Sequence, residues 1–203
     1  GYTIVPNVVQ LEIFSPREKM PDKPVFFRLN VWHSLKKPLV AIDAFTEFLK
    51  HHPDAMLRIG GDGPLLQTMK DRISKHGIES HIRLLGALTK QEVATELAGA
   101  TALLHASRYE TFSVICAESL CSGTPVIASK VGALNALVNA ENGVLVENDE
   151  TENWVAAMLY IYENRMHFNP EKVAAGKSEL FSQQAVGKRF YDVFRKIIEN
   201  RKS

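Results

Sequence analysis

Short apolar runs rich in β-branched and aromatic residues alternate with helix-periodic segments along most of this 203-residue chain. That alternation limits the fold more than any other feature. Six runs read as strands: Val25–Leu29, Ala55–Ile59, His81–Leu85, Ala102–His105, Pro125–Ala128 and Gly143–Val146. The segments between them read as helices. Pro38–Leu49 starts with Pro in its first turn and carries Leu39, Ile42, Ala44, Phe45 and Phe48 on one side. Pro64–His76 carries Leu65, Leu66, Met69 and Ile73. Thr89–Leu97 opens with Thr-Lys-Gln-Glu, a capping box. Ser113–Ser122 stops at Gly123, a suitable C′ residue. Ala133–Asn139 is short, and Thr151–Glu163 closes the alternation. Most of the strands are apolar throughout, which predicts a parallel sheet covered on both faces. The expected fold class is therefore α/β: about six parallel strands, helices on both faces, and further helices at the C-terminal end. In such sheets ligands bind beyond the carboxyl ends of the strands. Gly60–Pro64, Gly86 and Ser107–Glu110 all fall at that edge.

The composition, 45% hydrophobic and 23% charged, is that of a soluble globular protein. A net charge of +1 argues against nucleic acid as a partner. No apolar run approaches the roughly 20 residues that span a bilayer, and no signal-peptide pattern is visible. Cys116 and Cys121 sit five positions apart on one expected helix, too far for a disulfide. They read as small buried apolar residues, which suits a reducing cytosol. The opening Gly1–Asn7 reads as mid-protein, so a fragment or excised domain is expected. The last forty residues differ from the rest. Phe168–Leu180 is weakly patterned. Gln183–Asn200 is amphipathic, with Val186, Phe190, Val193, Phe194 and Ile197 on one face, and Lys188, Arg189, Arg195, Lys196, Arg201 and Lys202 make the region basic. Two units are expected: 1–165, holding the sheet, and 166–203, the terminal helices.

Two carboxylates, Glu110 and Glu118, stand eight positions apart. Glu110 ends a loop. Glu118 lies inside an otherwise apolar helix with no Lys or Arg three or four positions away, so helix ion pairing does not explain it. A largely buried carboxylate needs a partner or it neutralises. The helix start offers free amides at Phe112, Ser113 and Val114, a natural phosphate site. Glu118 could accept two hydrogen bonds from a vicinal diol such as a ribose, and Glu110 could accept one from a sugar hydroxyl beyond a diphosphate. The competing account has Glu110 capping the helix and Glu118 bonded to a buried backbone group. The residues alone leave the two about even.

The stretch His105-Ala-Ser-Arg-Tyr-Glu110-Thr-Phe-Ser-Val-Ile-Cys-Ala-Glu118-Ser-Leu-Cys-Ser-Gly123-Thr-Pro-Val-Ile-Ala128 resembles the Glu-x7-Glu signature of the family 4 retaining glycosyltransferases. Ile59-Gly-Gly-Asp-Gly-Pro64 is similar to that family's strand-to-helix turn, Ile82-Arg-Leu-Leu-Gly86 to its next strand end, Val5-Pro-Asn7 to the entry of its second domain, and Glu141-Asn-Gly-Val-Leu-Val146 to its closing strand. The resemblance covers about Val5 to Asn148. It implies a Rossmann-like domain, the donor-binding half of a two-domain B-type glycosyltransferase fold. In this family Glu118 would bind the ribose hydroxyls and Glu110 the donor sugar, with Lys37 as the catalytic cation and Lys36 as its register alternative. Read without the resemblance, Lys36 and Lys37 are a solvated helix start. The amides of Phe112, Ser113 and Val114 would face the diphosphate, and the loops near Gly61 and Arg83 the base. The implied reaction is retaining hexosyl transfer from a nucleotide-diphosphate sugar to an acceptor glycan or lipid-linked sugar, with no metal and no other cofactor. The acceptor would be held by a first domain that this chain lacks, so the fragment alone would be inactive. Family habit suggests polysaccharide biosynthesis in the cytoplasm, with peripheral contact at the inner face of the membrane.

Several positions depart from the family pattern. Arg28 is the arginine nearest the first loop but falls inside the strand. Ser113 stands where Gly is common, Ala133 replaces a second Gly, and Ala136 stands where Glu is usual. Two other function classes stay open on the residues. A nicotinamide-dependent oxidoreductase is disfavoured because Leu66 occupies the position of the third fingerprint glycine. A non-catalytic α/β interaction module would have Glu118 bonded internally. Gly61-Asp-Gly63 is expected to be a turn that lets a ligand approach closely. His105 is expected to be a packed strand-end histidine, and the other histidines show no metal-ligand spacing.

Overall fold

The computed structural model describes residues 3–200. Six parallel strands form one sheet: β1 (Val25–Leu29), β2 (Met56–Gly60), β3 (Ile82–Gly86), β4 (Ala102–His105), β5 (Val126–Ser129) and β6 (Gly143–Val146). Their order across the sheet is β3-β2-β1-β4-β5-β6, with every pairing parallel. The expected architecture is therefore the observed one. Three strands start one residue later than the sequence suggests. For β5 the cause is plain: Pro125 has no N–H for the ladder, although its carbonyl accepts from Leu103 at 2.9 Å.

The helices are α1 (Pro38–Leu49), α2 (Leu66–His76), α3 (Lys90–Ala98), α4 (Val114–Cys121), α5 (Leu134–Leu137), α6 (Thr151–Glu163), α7 (Pro170–Ala174), α8 (Lys177–Phe181) and α9 (Gln183–Asn200). Helix α1 packs against α2 and α6, while α4 packs against α3, α7 and α8. The apolar faces close a core that includes Phe26, Phe27, Phe45, Phe48, Leu57, Ile59, Leu103, Leu104, Ile127 and Trp154, all fully buried. Thr89 caps α3 in the expected box: its hydroxyl accepts from the Glu92 amide while the Glu92 carboxylate accepts from the Thr89 amide at 2.7 Å. Both cysteines are free and buried, and burial pushes each thiol up to about 12.

The boundary drawn at residue 165 falls inside continuous packing. Phe168, Val173 and Phe181 belong to the same core as the sheet, and the Val9 amide donates to the Phe181 carbonyl at 2.9 Å. Only α9 leaves this body. Val186 is buried, but Phe190, Tyr191, Phe194, Ile197 and Ile198 are exposed. Arg201 and Lys202, counted above in the basic stretch, lie outside the described residues. Among the described residues no helix is long and apolar enough to cross a membrane.

The strand order fixes where a ligand can sit. The chain runs outward from β1 to β2 and β3, then returns to lay β4 on the other side of β1. The connections leaving the carboxyl ends of β1 and β4 therefore run toward opposite sides of the sheet, and in open α/β sheets this switch point is where the ligand crevice lies.

Candidate functional site

Two loops meet at that crevice. After β1 the chain makes a 3-10 turn at Ser34–Lys36, and after β4 it passes through Ser107 to Glu110. The Arg108 amide donates to the Leu35 carbonyl at 2.8 Å, which ties the loops together. Beneath them lies Arg28, fully buried on β1. Its guanidinium donates to the carbonyls of Lys36, Ala106 and Leu104, bracing both loops at once. Burial lowers this arginine to about 9. Arg28 thus acts on the crevice from below, through carbonyls.

Glu110 is 7% exposed. Its Oε1 accepts from Lys36 Nζ and, at 2.7 Å, from His105 Nε2. Its Oε2 has no partner among the described residues. Burial would raise this carboxyl, but the hydrogen bonds from His105 and Lys36, with their charge, outweigh it and hold the group at about 2. His105 is itself shifted down, chiefly by burial, although Glu110 pulls the other way. The Ser113 hydroxyl lies 3.2 Å from the same imidazole nitrogen. Sequence reasoning set His105 aside as a packed histidine. It is packed, and it is also bonded to Glu110; that partner, five positions on, becomes visible only once the loop is folded.

The two adjacent lysines part company. Lys37 is left-handed at φ 42° as it enters α1, and its Nζ pairs with Asp149 at 2.6 Å. Lys36, the register alternative, is the one on Glu110. Ser113 is left-handed too, at φ 68°. These two are the only non-glycine residues with positive φ among the described residues, and both begin helices at the crevice. Such conformations cost on the order of 1–3 kcal/mol and cluster at functional sites.

Helix α4 presents its start to the same region. No side chain caps it, and the amides of Phe112, Ser113 and Val114 donate to no acceptor among the described residues. Six of its eight residues are buried; Val114 and Glu118 are the exceptions. They are four apart, so they share one face. The Glu118 carboxylate makes no hydrogen bond or ion pair among the described residues. Burial pushes it up to about 7, against a smaller downward pull from Lys90. An internal backbone partner, the competing account of Glu118, is not found there. Lys90 Nζ itself donates to Gln10 Oε1 at 2.7 Å.

Two expected contributors, Arg83 and Gly61, stand apart from this group. Arg83 is exposed on β3, paired in register with Arg58, three residues before the strand end at Gly86. It is therefore about 10 Å short of the carboxyl edge. Gly61 does occupy a turn that demands glycine, at φ 115°. What approaches it closely is the protein itself: a Cβ there would collide with the Asn30 carbonyl, and one on Gly63 with the Trp32 backbone. The Trp32 amide donates to the Asp62 carbonyl at 2.8 Å and its indole to the Gly60 carbonyl at 3.1 Å. Phe112 sets its ring edge-to-face on Phe181, with centroids 5.9 Å apart. One further residue escaped the sequence reading. Gly132, at φ 50°, lies so close to Glu110 that a Cβ would strike the Glu110 carbonyl, which also accepts from the Ala133 amide at 3.1 Å.

The sequence profile described as "Glycosyl transferases group 1" matches residues 9–178, most of the chain. The chain belongs to the group 1 glycosyl transferases. Among curated members, it is 27% identical over 216 residues to D-inositol 3-phosphate glycosyltransferase of a Nocardioides species, covering 93% of this chain and 47% of that protein. It is 29% identical over 125 residues to glycogen synthase of Mycobacterium tuberculosis, covering 61% and 30%. The chain thus spans less than half the length of the curated relatives it matches. Among solved structures, Anabaena Alr3699/HepE in complex with UDP superposes with a TM-score of 0.85 at 17% identity, covering 96% of this chain and 57% of that one. Sucrose-phosphate synthase from Thermosynechococcus elongatus gives 0.83 at 19%, covering 98% and 53%. At these identities the structural likeness establishes the shared fold. The family assignment also leaves the nicotinamide-dependent reading without support.

Proposed function

We propose that this chain binds the nucleotide-diphosphate sugar of a glycosyl transfer and forms the donor half of a two-domain B-type enzyme. One observation carries the proposal: Glu118 is a half-buried carboxylate with no partner among the described residues, on the same helix face as the start of α4, whose first amides are also unpaired. An acceptor one turn away from a row of donors suits a ribose diol joined to a diphosphate. The ribose hydroxyls would donate to Glu118. The diphosphate would accept from the amides of Ser113 and Val114, with Phe112 beside them. Lys36 would offset charge that builds on the departing diphosphate. Glu110, held through Oε1, keeps Oε2 for a hydroxyl of the donor sugar. Support for the donor class comes from HepE, whose structure was solved with UDP and with UDP-glucose.

The reaction proposed is departure of the nucleoside diphosphate with attack of the acceptor on the same face, which retains configuration. Lys36 and the helix amides supply the stabilisation; no metal or other cofactor is required. The acceptor, a glycan or a lipid-linked sugar, would be held by a further domain, and the setting would be cytoplasmic. Thermal unfolding with UDP, GDP and ADP in parallel tests the donor site. A nucleotide at 100 times its Kd adds roughly 2.7 kcal/mol, and each kcal/mol raises Tm by about 2–4 °C at this size. A shift with one of the three that disappears in Glu118→Gln is expected. No shift with any, at millimolar concentration, would oppose the proposal. Transfer by the isolated 203-residue chain would contradict the assignment of the acceptor to another domain.

A further inference from the structure

Beneath Glu110 lies a buried histidine that the donor-binding account does not use. His105 ends β4 and is 2% exposed. Its Nε2 is 2.7 Å from Glu110 Oε1, and its Nδ1 is buried with no hydrogen-bond partner among the described residues. Those two facts define the tautomer. A carboxylate can only accept, so Nε2 carries the proton. Nδ1 is then a bare lone pair, which costs less to leave unpaired than an N–H would.

The groups around this pair come from three elements. Lys36, from the turn after β1, shares Glu110 Oε1. Arg28 approaches from β1, and its hydrogen bonds are all to backbone carbonyls. Ser113 and Cys116 approach from α4, the cysteine as a neutral thiol. The Lys36 side chain is long, unbranched and a quarter exposed, so its ammonium fixes the direction of the carboxylate less than a planar ring does. The imidazole is rigid, buried and planar, and its N–H has no other strong acceptor. Of the two groups on Oε1, His105 is therefore the one that can fix the direction of the carboxylate and leave Oε2 without a partner among the described residues.

We propose that His105 is a positioning residue: its Nε2–H anchors Oε1 of Glu110, so that Oε2 is presented, ionised and pre-oriented, to a hydroxyl of the donor sugar. The presentation to a sugar rests on the donor-site reading given above; the anchoring of Glu110 does not. Burial keeps the imidazole neutral in the neutral pH range, so it serves as a fixed donor, and the Ser113 hydroxyl 3.2 Å away steadies the ring. A substitution that retains an N–H at the same place should preserve the function. His105→Gln does so, because its amide nitrogen reaches the position of Nε2. His105→Leu fills the space without a donor.

Two readouts on the wild-type chain and these two variants decide the matter. The first is the carboxyl 13C resonance of Glu110 followed against pH. In the wild type Glu110 should remain ionised well below the ordinary glutamate range, which lies near 4.3. In His105→Leu its midpoint should rise into or above that range, and in His105→Gln it should fall back toward the wild type. The second is binding of UDP-glucose compared with UDP. The sugar-dependent part of the affinity should fall about tenfold or more in His105→Leu, as expected for loss of a hydrogen bond to a charged group, with UDP itself little changed. His105→Gln should restore most of it. A general loss of packing would weaken both ligands alike and would not move the Glu110 midpoint selectively. If His105→Leu fails to fold, a His105→Gln variant with a raised midpoint and no sugar-dependent affinity would contradict the proposal. An unmoved Glu110 midpoint in a folded His105→Leu chain overturns it outright. If the midpoint moves as described but neither UDP nor UDP-glucose binds the wild type, the anchoring of Glu110 is supported and the donor-site reading is what fails.

Discussion

At the scale of single residues, the two carboxylates behave in opposite ways, and the contrast is testable. Glu118 has its folded-state pKa raised to about 7, so its stabilising contribution is complete below the unfolded value near 4.5 and is lost as pH climbs through 7. The full loss is on the order of 3 kcal/mol, reduced by partial exposure. Glu118→Gln is therefore expected to raise Tm at pH 8 and to change it little at pH 5, as scanning calorimetry would show. Glu110 is held near 2, so its contribution is present above about 4.5 and vanishes as pH falls toward 2. Glu110→Gln should destabilise by about 2–3 kcal/mol at pH 7, measured by urea unfolding. Glu118 was legible in the sequence because a lone carboxylate among V-I-C-A and S-L-C has no local explanation. The separate pairing of the two lysines, Lys36 with Glu110 and Lys37 with Asp149, was not. It depends on the left-handed turn at Lys37, which sends that side chain to Asp149, and no pattern in the sequence encodes such a turn at a lysine. The carbonyl of Glu110 pressed against Gly132 was hidden for the same reason, since a contact between residues so far apart in the chain is tertiary.

At the scale of elements, the strands and most helices were legible to within one or two residues, because apolar runs, the Thr89 capping box and the Gly123 stop each act locally. The remaining offsets also have causes. Helix α2 starts at Leu66 instead of Pro64 because the Gly63–Leu65 turn is held by Trp32, whose carbonyl accepts from the Leu65 amide at 3.0 Å. Gly61→Ala is expected to cost more than about 2 kcal/mol, since it combines a positive φ with a collision against the Asn30 carbonyl. A change below about 0.5 kcal/mol in chemical unfolding would show that this turn is not held as described. Ser113→Gly should have the reverse sign. It removes a strained φ at the start of α4 and should stabilise by roughly 1 kcal/mol, less whatever the hydroxyl's contact with His105 contributes.

At the scale of the whole molecule, strand order does the organising. Placing β4 beside β1 brings together Lys36 and Glu110, which are 74 positions apart. Alternation of elements predicted the parallel sheet but not this adjacency, which the chain settles only when it returns across β1. The exposed apolar stripe of α9, from Phe190 to Ile198, makes no part of the core. The double substitution Phe190→Ser with Phe194→Ser should accordingly leave Tm of this chain within about 1–2 °C of the parent. The central claim is that Glu118 receives a ribose diol, and one titration bears on it most directly. UDP and 2′-deoxy-UDP would each be titrated calorimetrically into the wild-type chain and into Glu118→Gln. The account predicts that the wild type prefers UDP by about tenfold or more, from loss of one hydrogen bond to a charged acceptor, and that Glu118→Gln binds the two about equally and more weakly. Equal binding of both nucleotides by the wild type, or an undiminished preference for UDP in Glu118→Gln, would contradict it.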